Sequence, residues 1–258
     1  MRNFNYFLID LDGTLVRGKK VLPGAVEFLN FLIKSNKKFL ILTNNSSRST
    51  SGYLKFLKKK GFNLKKSHIF TSGLATAMYL LEKNVREAFI VGTKSTLKEF
   101  ERMGIKNNPE SPNLVLTFDT TLNFQKLSLA TIKLMPKKGL YIASHPDNVC
   151  PVETGFIPDV GSFIAFLREA TGALPDFIPG KPNEYFYKKA MESIGAKREE
   201  TAIIGDRIST DIKTGRDFGI TSILVLTGET RKEDLENSSI KPDLVFDNLI
   251  ELRKFLGG

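Results

Sequence analysis

The sequence predicts an α/β protein built on a parallel sheet, with a second, smaller α/β domain. Short apolar runs rich in strand formers alternate along the chain with longer segments of helical period. Three of these runs stop abruptly in polar clusters: residues 6–9 at Asp10, 39–42 at Thr43-Asn44, and 201–204 at Gly205-Asp206. Between the second and third, the alternation restarts at Ser72 and forms a βα block of its own. At 258 residues the chain exceeds one average domain and can bury a sizeable core.

In chain order, residues 6–9 are too few for a helix and read as a buried strand. Asp10 and Asp12 lie two apart, so in extended geometry both acids emerge on one face where the strand ends, and Gly13 allows a sharp turn. Residues 16–21, with Gly18 among polar neighbours, predict a small hairpin or flap. Pro23-Gly24 opens a helix with Ala25, Leu29, Leu32 and Ile33 inward, closed at Asn36. A strand over 39–42 follows, then a helix over 50–60 with Tyr53, Phe56 and Leu57 inward and Gly61 as its stop. The middle block reads as a strand at 69–71, a helix at 72–81, a strand at 88–91, a helix capped by Ser95 and running to Met103, a loop at 107–113, a strand at 114–116, a helix at 123–134 and a strand at 140–143. Residues 144–159 read as one long loop, a length usually reserved for function or disorder. A helix at 160–171 ends at Gly172, a return crossing spans 175–182, and a helix covers 183–194. Strands at 201–204, 222–226 and 244–246 and helices at 210–218 and 249–256 complete the pattern.

Composition narrows the class. Lys and Arg number 38 against 28 Asp and Glu, a formal net charge of +10. The cations are scattered, and the densest runs, Lys58-Lys59-Lys60 and Lys65-Lys66, flank expected helix ends where positive charge is comfortable. This balance reads as a solvated surface that steers anionic substrates rather than a nucleic-acid interface. Cys150 is the only cysteine, which rules out an intrachain disulfide and a thiolate metal cage and suits a reducing compartment. It reads as a small core filler. His68 and His145 are too few for a multi-histidine zinc site. Neither a signal peptide nor a membrane-spanning run is expected, and the cytoplasm follows.

In a parallel sheet the strand ends share one edge, so Asp10 and Asp12, Thr43 and Asn44, and Asp206 and Asp211 can converge there, with Lys181 between the last two clusters in sequence. Gathered carboxylates repel unless a cation sits among them. Oxygen ligands suit a hard divalent ion, and Mg²⁺ takes few carboxylates together with substrate phosphate oxygens. Asp10 could attack phosphorus, Asp12 could serve as general acid and base, and Thr43, the Asn44 backbone and Lys181 could stabilise the transferring group. Asp206 would complete the metal shell, and Asp211 would hold Lys181 or a bound water. Gly180-Lys181 is not a phosphate-binding P-loop, because Pro182 stands where Ser or Thr is needed.

These motifs resemble those of the haloacid dehalogenase-like phosphohydrolases: Asp10-Leu11-Asp12-Gly13-Thr14, Leu42-Thr43-Asn44-Asn45, Gly180-Lys181-Pro182, and Gly205-Asp206 with Asp211, in that order. The set is most similar to the branch of NagD-type and p-nitrophenyl phosphatases. That resemblance implies a discontinuous Rossmann-like catalytic core at 1–71 and 178–258 and an inserted α/β cap at 72–177. It further implies Mg²⁺ held by Asp10, the main-chain carbonyl of Asp12 and Asp206, and an aspartyl-phosphate formed on Asp10. Phosphate contacts would come from Thr43, Asn44, Asn45 and Lys181, the substrate would be a small phosphorylated metabolite, and the cap would be a candidate dimer surface. Dehalogenases of the family lack the second acid, so Asp12 argues for a leaving group that needs a proton. Where the branch usually has Thr-Asn-x-Asp, this chain has Ser144-His145-Pro146-Asp147. His145 and Asp147 are thus candidates for substrate choice, with a surface salt bridge or turn as the alternative. A phosphotransferase or mutase on the same fold, or a basic binding protein with a dormant site, are the rival readings.

Overall fold

Apolar runs without polar alternation form strands only where both faces are covered, and parallel sheets flanked by helices supply that cover. The computed structural model describes residues 4–136 and 138–258. Its elements are β1 (Tyr6–Asp10), β2 (Val16–Arg17), β3 (Lys20–Val21), α1 (Ala25–Lys34), β4 (Lys38–Thr43), α2 (Thr50–Lys58), β5 (Ile69–Thr71), α3 (Ser72–Glu82), β6 (Glu87–Val91), α4 (Lys94–Arg102), β7 (Lys106–Asn107), β8 (Leu114–Leu116), α5 (Phe124–Leu134) and β9 (Tyr141–Ala143). They continue with β10 (Val149–Val152), β11 (Gly155–Pro158), α6 (Val160–Thr171), α7 (Glu184–Ile194), β12 (Thr201–Gly205), α8 (Lys213–Phe218), β13 (Thr221–Val225), α9 (Lys232–Asn237), β14 (Leu244–Phe246) and α10 (Leu249–Phe255). The chain divides into two compact units. One holds the chain up to Thr43, Leu54–Phe70 and Lys188–Gly258; the other holds Asn44–Tyr53 and Thr71–Tyr187.

The first unit carries a six-stranded sheet in the order β14-β13-β12-β1-β4-β5. β1 pairs in parallel with β12 on one side and with β4 on the other, and β12, β13 and β14 continue in parallel. The order therefore reverses at β1, and open α/β sheets leave a crevice outside the strand carboxyl ends at such a point. β12 and β13 are buried along their whole length, as two-sided cover requires. Helix α1 turns Ala25, Phe28, Leu29 and Leu32 inward. Ile33, expected there, is 39% exposed, because Phe28 at the i+3 position already completes the stripe.

The second unit has a four-stranded sheet, β7-β6-β8-β9, with parallel pairings. Alternation along β6 sends Phe89 and Val91 to a cluster with Ala130, Leu134, Val160 and Leu167 of α5 and α6. It sends Ala88 and Ile90 to a cluster with Ala77, Leu80 and Phe100 of α3 and α4. Where the sequence places an insert at 72–177 and the core from 178, the compact unit runs from Thr71 to Tyr187, and it also takes in Asn44–Tyr53. Side-chain hydrogen bonds explain this. Ser46 Oγ accepts from Phe118 N at 2.8 Å, Thr96 Oγ1 donates to Ser46 O at 2.6 Å, Thr93 Oγ1 donates to Ser47 O at 2.7 Å, and Glu99 accepts from Thr50 N at 2.8 Å.

Several local expectations need correction. The cap of α4 is Thr93, whose Oγ1 accepts from Thr96 N, whereas Ser95 Oγ accepts from Ser49 N at 3.0 Å. Residues 144–159 contain an antiparallel hairpin, β10 with β11, rather than a plain loop. Its prolines disguised it: in a two-stranded ribbon both strands are edges, so Pro151 and Pro158 are tolerated. The helix expected at 210–218 begins as a π-helical turn, Ile208–Ile212, before α8. Helix α9 lay in a stretch with no helical expectation.

Candidate active site

Two strand ends and one irregular turn assemble an acid cluster in the first unit. β1 ends at Asp10, Asp206 follows the last residue of β12, and Asp211 sits in the π-helical turn. Their relative exposures are 7%, 4% and 2%. One carboxylate oxygen from each lies within 4.8 Å of the other two. A π turn is rare and expensive, and it is most often kept where it aims a side chain. Here it brings Asp211 against Gly205, where a Cβ would stand 2.4 Å from its Oδ2. Asp211, expected to hold Lys181 or a water, is thus a member of the cluster itself.

Asp206 is gripped between two backbones. A Cβ on Gly13 would fall 2.3 Å from Asp206 Oδ2, and one on Gly228 would fall 1.8 Å from it. Gly13 also has φ 93°, a conformation natural only to glycine. Glu229 N donates to Asp206 Oδ2 at 2.7 Å, and Thr227 Oγ1 donates to Gly13 O at 2.7 Å. The loop after β13 is thereby fastened to the turn after β1. Sequence reasoning missed this loop, although Thr227-Gly228-Glu229 at a strand's carboxyl end was the available signal.

Three buried carboxylates this close repel strongly, since little water intervenes to screen them. A hard cation removes the conflict, and oxygen donors of this kind fit Mg²⁺. Asp12 stands apart from that cluster. It is exposed, and Thr43 Oγ1, buried at the end of β4, donates to its Oδ2 at 3.4 Å. An exposed carboxylate beside a hydroxyl suits exchange of a proton.

The remaining expected residues belong to the second unit. Asn44 spends its side chain on holding others: Nδ2 donates to Asp147 Oδ2 at 2.8 Å and to Lys181 O at 3.0 Å, while Oδ1 accepts from Lys181 N at 2.8 Å. Lys181 is 5% exposed. Gly180 beside it leaves no room for a Cβ, which would meet Ser144 O at 2.3 Å and His145 Cβ at 2.9 Å. Asn45 Oδ1 accepts from Ser47 N at 3.1 Å and from Ser47 Oγ at 2.7 Å, so its side chain closes a turn. Cys150 is half-buried against the cluster of β6, β8 and α6.

His145 is fully buried, in contrast to the surface or substrate-facing positions considered for it. Its Nε2 lies 2.9 Å from Asp159 Oδ1, and its Nδ1 lies 2.9 Å from Ser144 Oγ. Asp159 also accepts from Val160 N at 2.7 Å. The ring therefore braces the base of the β10–β11 hairpin, next to Asp147. Replacing His145 with Ala would leave Asp159 short of a partner in the interior. The expected loss is about 2–4 kcal/mol in urea unfolding. In a His145→Ala/Asp159→Asn double variant the two losses should be clearly less than additive.

Comparison with known proteins bears on this arrangement. A family model described as haloacid dehalogenase-like hydrolase matches residues 7–106, and one described as HAD-hydrolase-like matches 178–252. The chain is 32% identical over 253 residues to an acid sugar phosphatase of Staphylococcus epidermidis, covering 96% of each. The crystal structure of a 4-nitrophenylphosphatase from Thermotoga maritima superposes with a TM-score of 0.92 at 42% identity, over 97% of both chains. NagD from Escherichia coli K-12 superposes with a TM-score of 0.88 at 26% identity, over 96% of this chain and 98% of that one. A parallel sheet whose order reverses at an acid-tipped strand is thus, in this chain, that of the haloacid dehalogenase-like hydrolases, and the chain belongs to that family. Within the family it falls in the branch of NagD-like and p-nitrophenyl phosphatases. No helix among the described residues is long and apolar enough to cross a membrane.

Proposed function

We propose that the chain is a Mg²⁺-dependent phosphatase that hydrolyses a small sugar phosphate through an aspartyl-phosphate on Asp10. The observation that supports this most is the meeting of Asp10, Asp206 and Asp211 within 4.8 Å. A carboxylate oxygen of Asp10 attacks phosphorus as the bond to the leaving oxygen breaks, and Asp12 gives that oxygen its proton. Water then attacks the phosphoryl group, Asp12 takes the water's proton, and phosphate departs with the Asp10 carboxylate restored. Thr43, the backbone of Asn44 and the Lys181 ammonium are assigned to the oxygens of the transferring group on the strength of motif order. Asp10, Asp206 and the main-chain carbonyl of Asp12, with Asp211 in support, are the residues that would hold Mg²⁺, which when bound offsets the charge of the phosphoryl oxygens.

The second unit is assigned the part of a cap that excludes water and selects the leaving group, with Asp147 among its selecting residues. The name of the acid sugar phosphatase, 32% identical, supports a sugar phosphate as substrate. Self-association through the second unit and a cytoplasmic location belong to the same proposal. The test is a panel of sugar phosphates assayed beside p-nitrophenyl phosphate. EDTA is expected to abolish phosphate release and added Mg²⁺ to restore it. Undiminished turnover in EDTA by protein stripped of metal would overturn the metal assignment, and inactivity on the whole panel would overturn the sugar-phosphate assignment.

A further inference from the structure

The first unit contains a second concave site, at the opposite ends of its strands from the acid cluster. It is a cavity of about 600 Å³ between the turn after α1, the start of β4, the segment before β5 and the end of α7. Lys37, Lys38, Lys65 and His68 line it, together with the amides of Asn36 and Asn63. None of the described residues lining it is acidic. In register, Tyr6 pairs with Lys38 and Asp10 with Leu42. Four residues of strand therefore separate the cavity's rim from the level of the acid cluster, about 13 Å at the usual rise.

Charge and shape both favour an anionic guest. Three ammonium groups around one cavity raise its potential and repel one another, and a bound anion relieves that repulsion. Lys38 Nζ donates to Ile194 O at 3.2 Å, which keeps its head at the cavity's rim, while Lys37 Nζ donates to Asn5 Oδ1 at 2.9 Å just outside the lining. Glu200 accepts from Asn5 Nδ2 at 2.6 Å, and its charge interacts with that of Lys37, but it does not line the cavity. The His68 ring lies on Phe39 with centroids 4.5 Å apart. Burial, and after it the charge of Lys65, holds the imidazole below its ordinary pKa. Lys65 N donates to His68 Nδ1 at 3.3 Å, which leaves the proton of the neutral ring on Nε2, a donor. The volume lies in the range of small-molecule sites.

We infer that this cavity binds a small metabolite carrying two or more phosphoryl charges, at a site separate from the acid cluster. The inference does not depend on the hydrolytic assignment. It also gives a role to part of the basic run Lys65-Lys66, which the proposed reaction does not use.

The chain has two histidines, so ring-nitrogen NMR gives one probe in the cavity, His68, and one buried control, His145. The intact protein is titrated with methylenediphosphonate and with the non-hydrolysable methylene analogue of ADP. His68 signals are expected to shift along a saturable curve while His145 signals stay in place, and in Lys38→Ala/Lys65→Ala the apparent affinity should fall at least tenfold. Unmoved His68 signals at millimolar probe, or the same curve in the double variant, would overturn the inference. So would a single-stranded oligonucleotide that displaces the probe at far lower concentration, because the site would then belong to nucleic acid. If the His145 signals show the double variant to be misfolded, Lys65→Gln alone, a change at an exposed side chain, should still weaken binding several-fold; unchanged affinity there overturns the inference equally.

Discussion

Asp10→Asn is expected to lower p-nitrophenyl phosphate hydrolysis by about a thousandfold or more while leaving the fold intact. An amide is a poor nucleophile, and the loss of an attacking group removes the two-step route altogether rather than weakening one contact. The same change removes one of three charges from the buried cluster at Asp10, Asp206 and Asp211. In metal-free buffer the variant should therefore unfold at the same temperature as the wild type or a higher one. Calorimetry alongside the rate assay checks both halves. Wild-type-like turnover would end the nucleophile assignment, and a marked drop in unfolding temperature would show that Asp10 is held by contacts that outweigh the repulsion.

Gly13→Ala should do comparable damage for a different reason. The methyl group would stand 2.3 Å from Asp206 Oδ2, an oxygen that Gly228 also packs against so closely that a Cβ there would fall 1.8 Å from it. The side chain must swing out of the cluster or the loop after β13 must part from the turn after β1. Activity is expected to fall at least a hundredfold, and the positive φ adds about 1–3 kcal/mol of backbone strain. Gly61→Ala is the control. Its φ of 92° matches, yet nothing lies within 4 Å of the added carbon. It should lose similar stability through strain and keep its activity. Equal activity losses in the two variants would mean that strain, and not the displacement of Asp206, is responsible.

Much of this molecule is local and was legible for that reason. A strand that must be covered on both faces has to be a continuous apolar run, so β1, β4 and β12 announced themselves, and with them Asp10, Thr43 and Asp206 at their ends. Period-2 and period-3.6 signals depend only on neighbours a few residues apart. The hairpin β10–β11 failed the same test because proline content normally argues against strands, and a two-stranded ribbon is the exception. His145 illustrates a different failure. Burial is set by what packs around a residue, and its partner Asp159 lies across the hairpin, so no pattern near position 145 distinguished a surface histidine from an interior brace.

The residue sequence alone determined the α/β class, the order of most elements, the acids at the strand ends and the family resemblance they carry, all consequences of short-range periodicity and motif spacing. Only the tertiary structure decided that Asp211 joins Asp10 and Asp206, that Gly13 and Gly228 grip Asp206, that Asn44 holds Lys181 and Asp147, and that residues 44–53 pack with the second unit. Those facts depend on contacts between segments far apart in the chain, such as Thr227 with Gly13 at a separation of 214. Their energies are set by distance in space, which spacing along the chain does not encode.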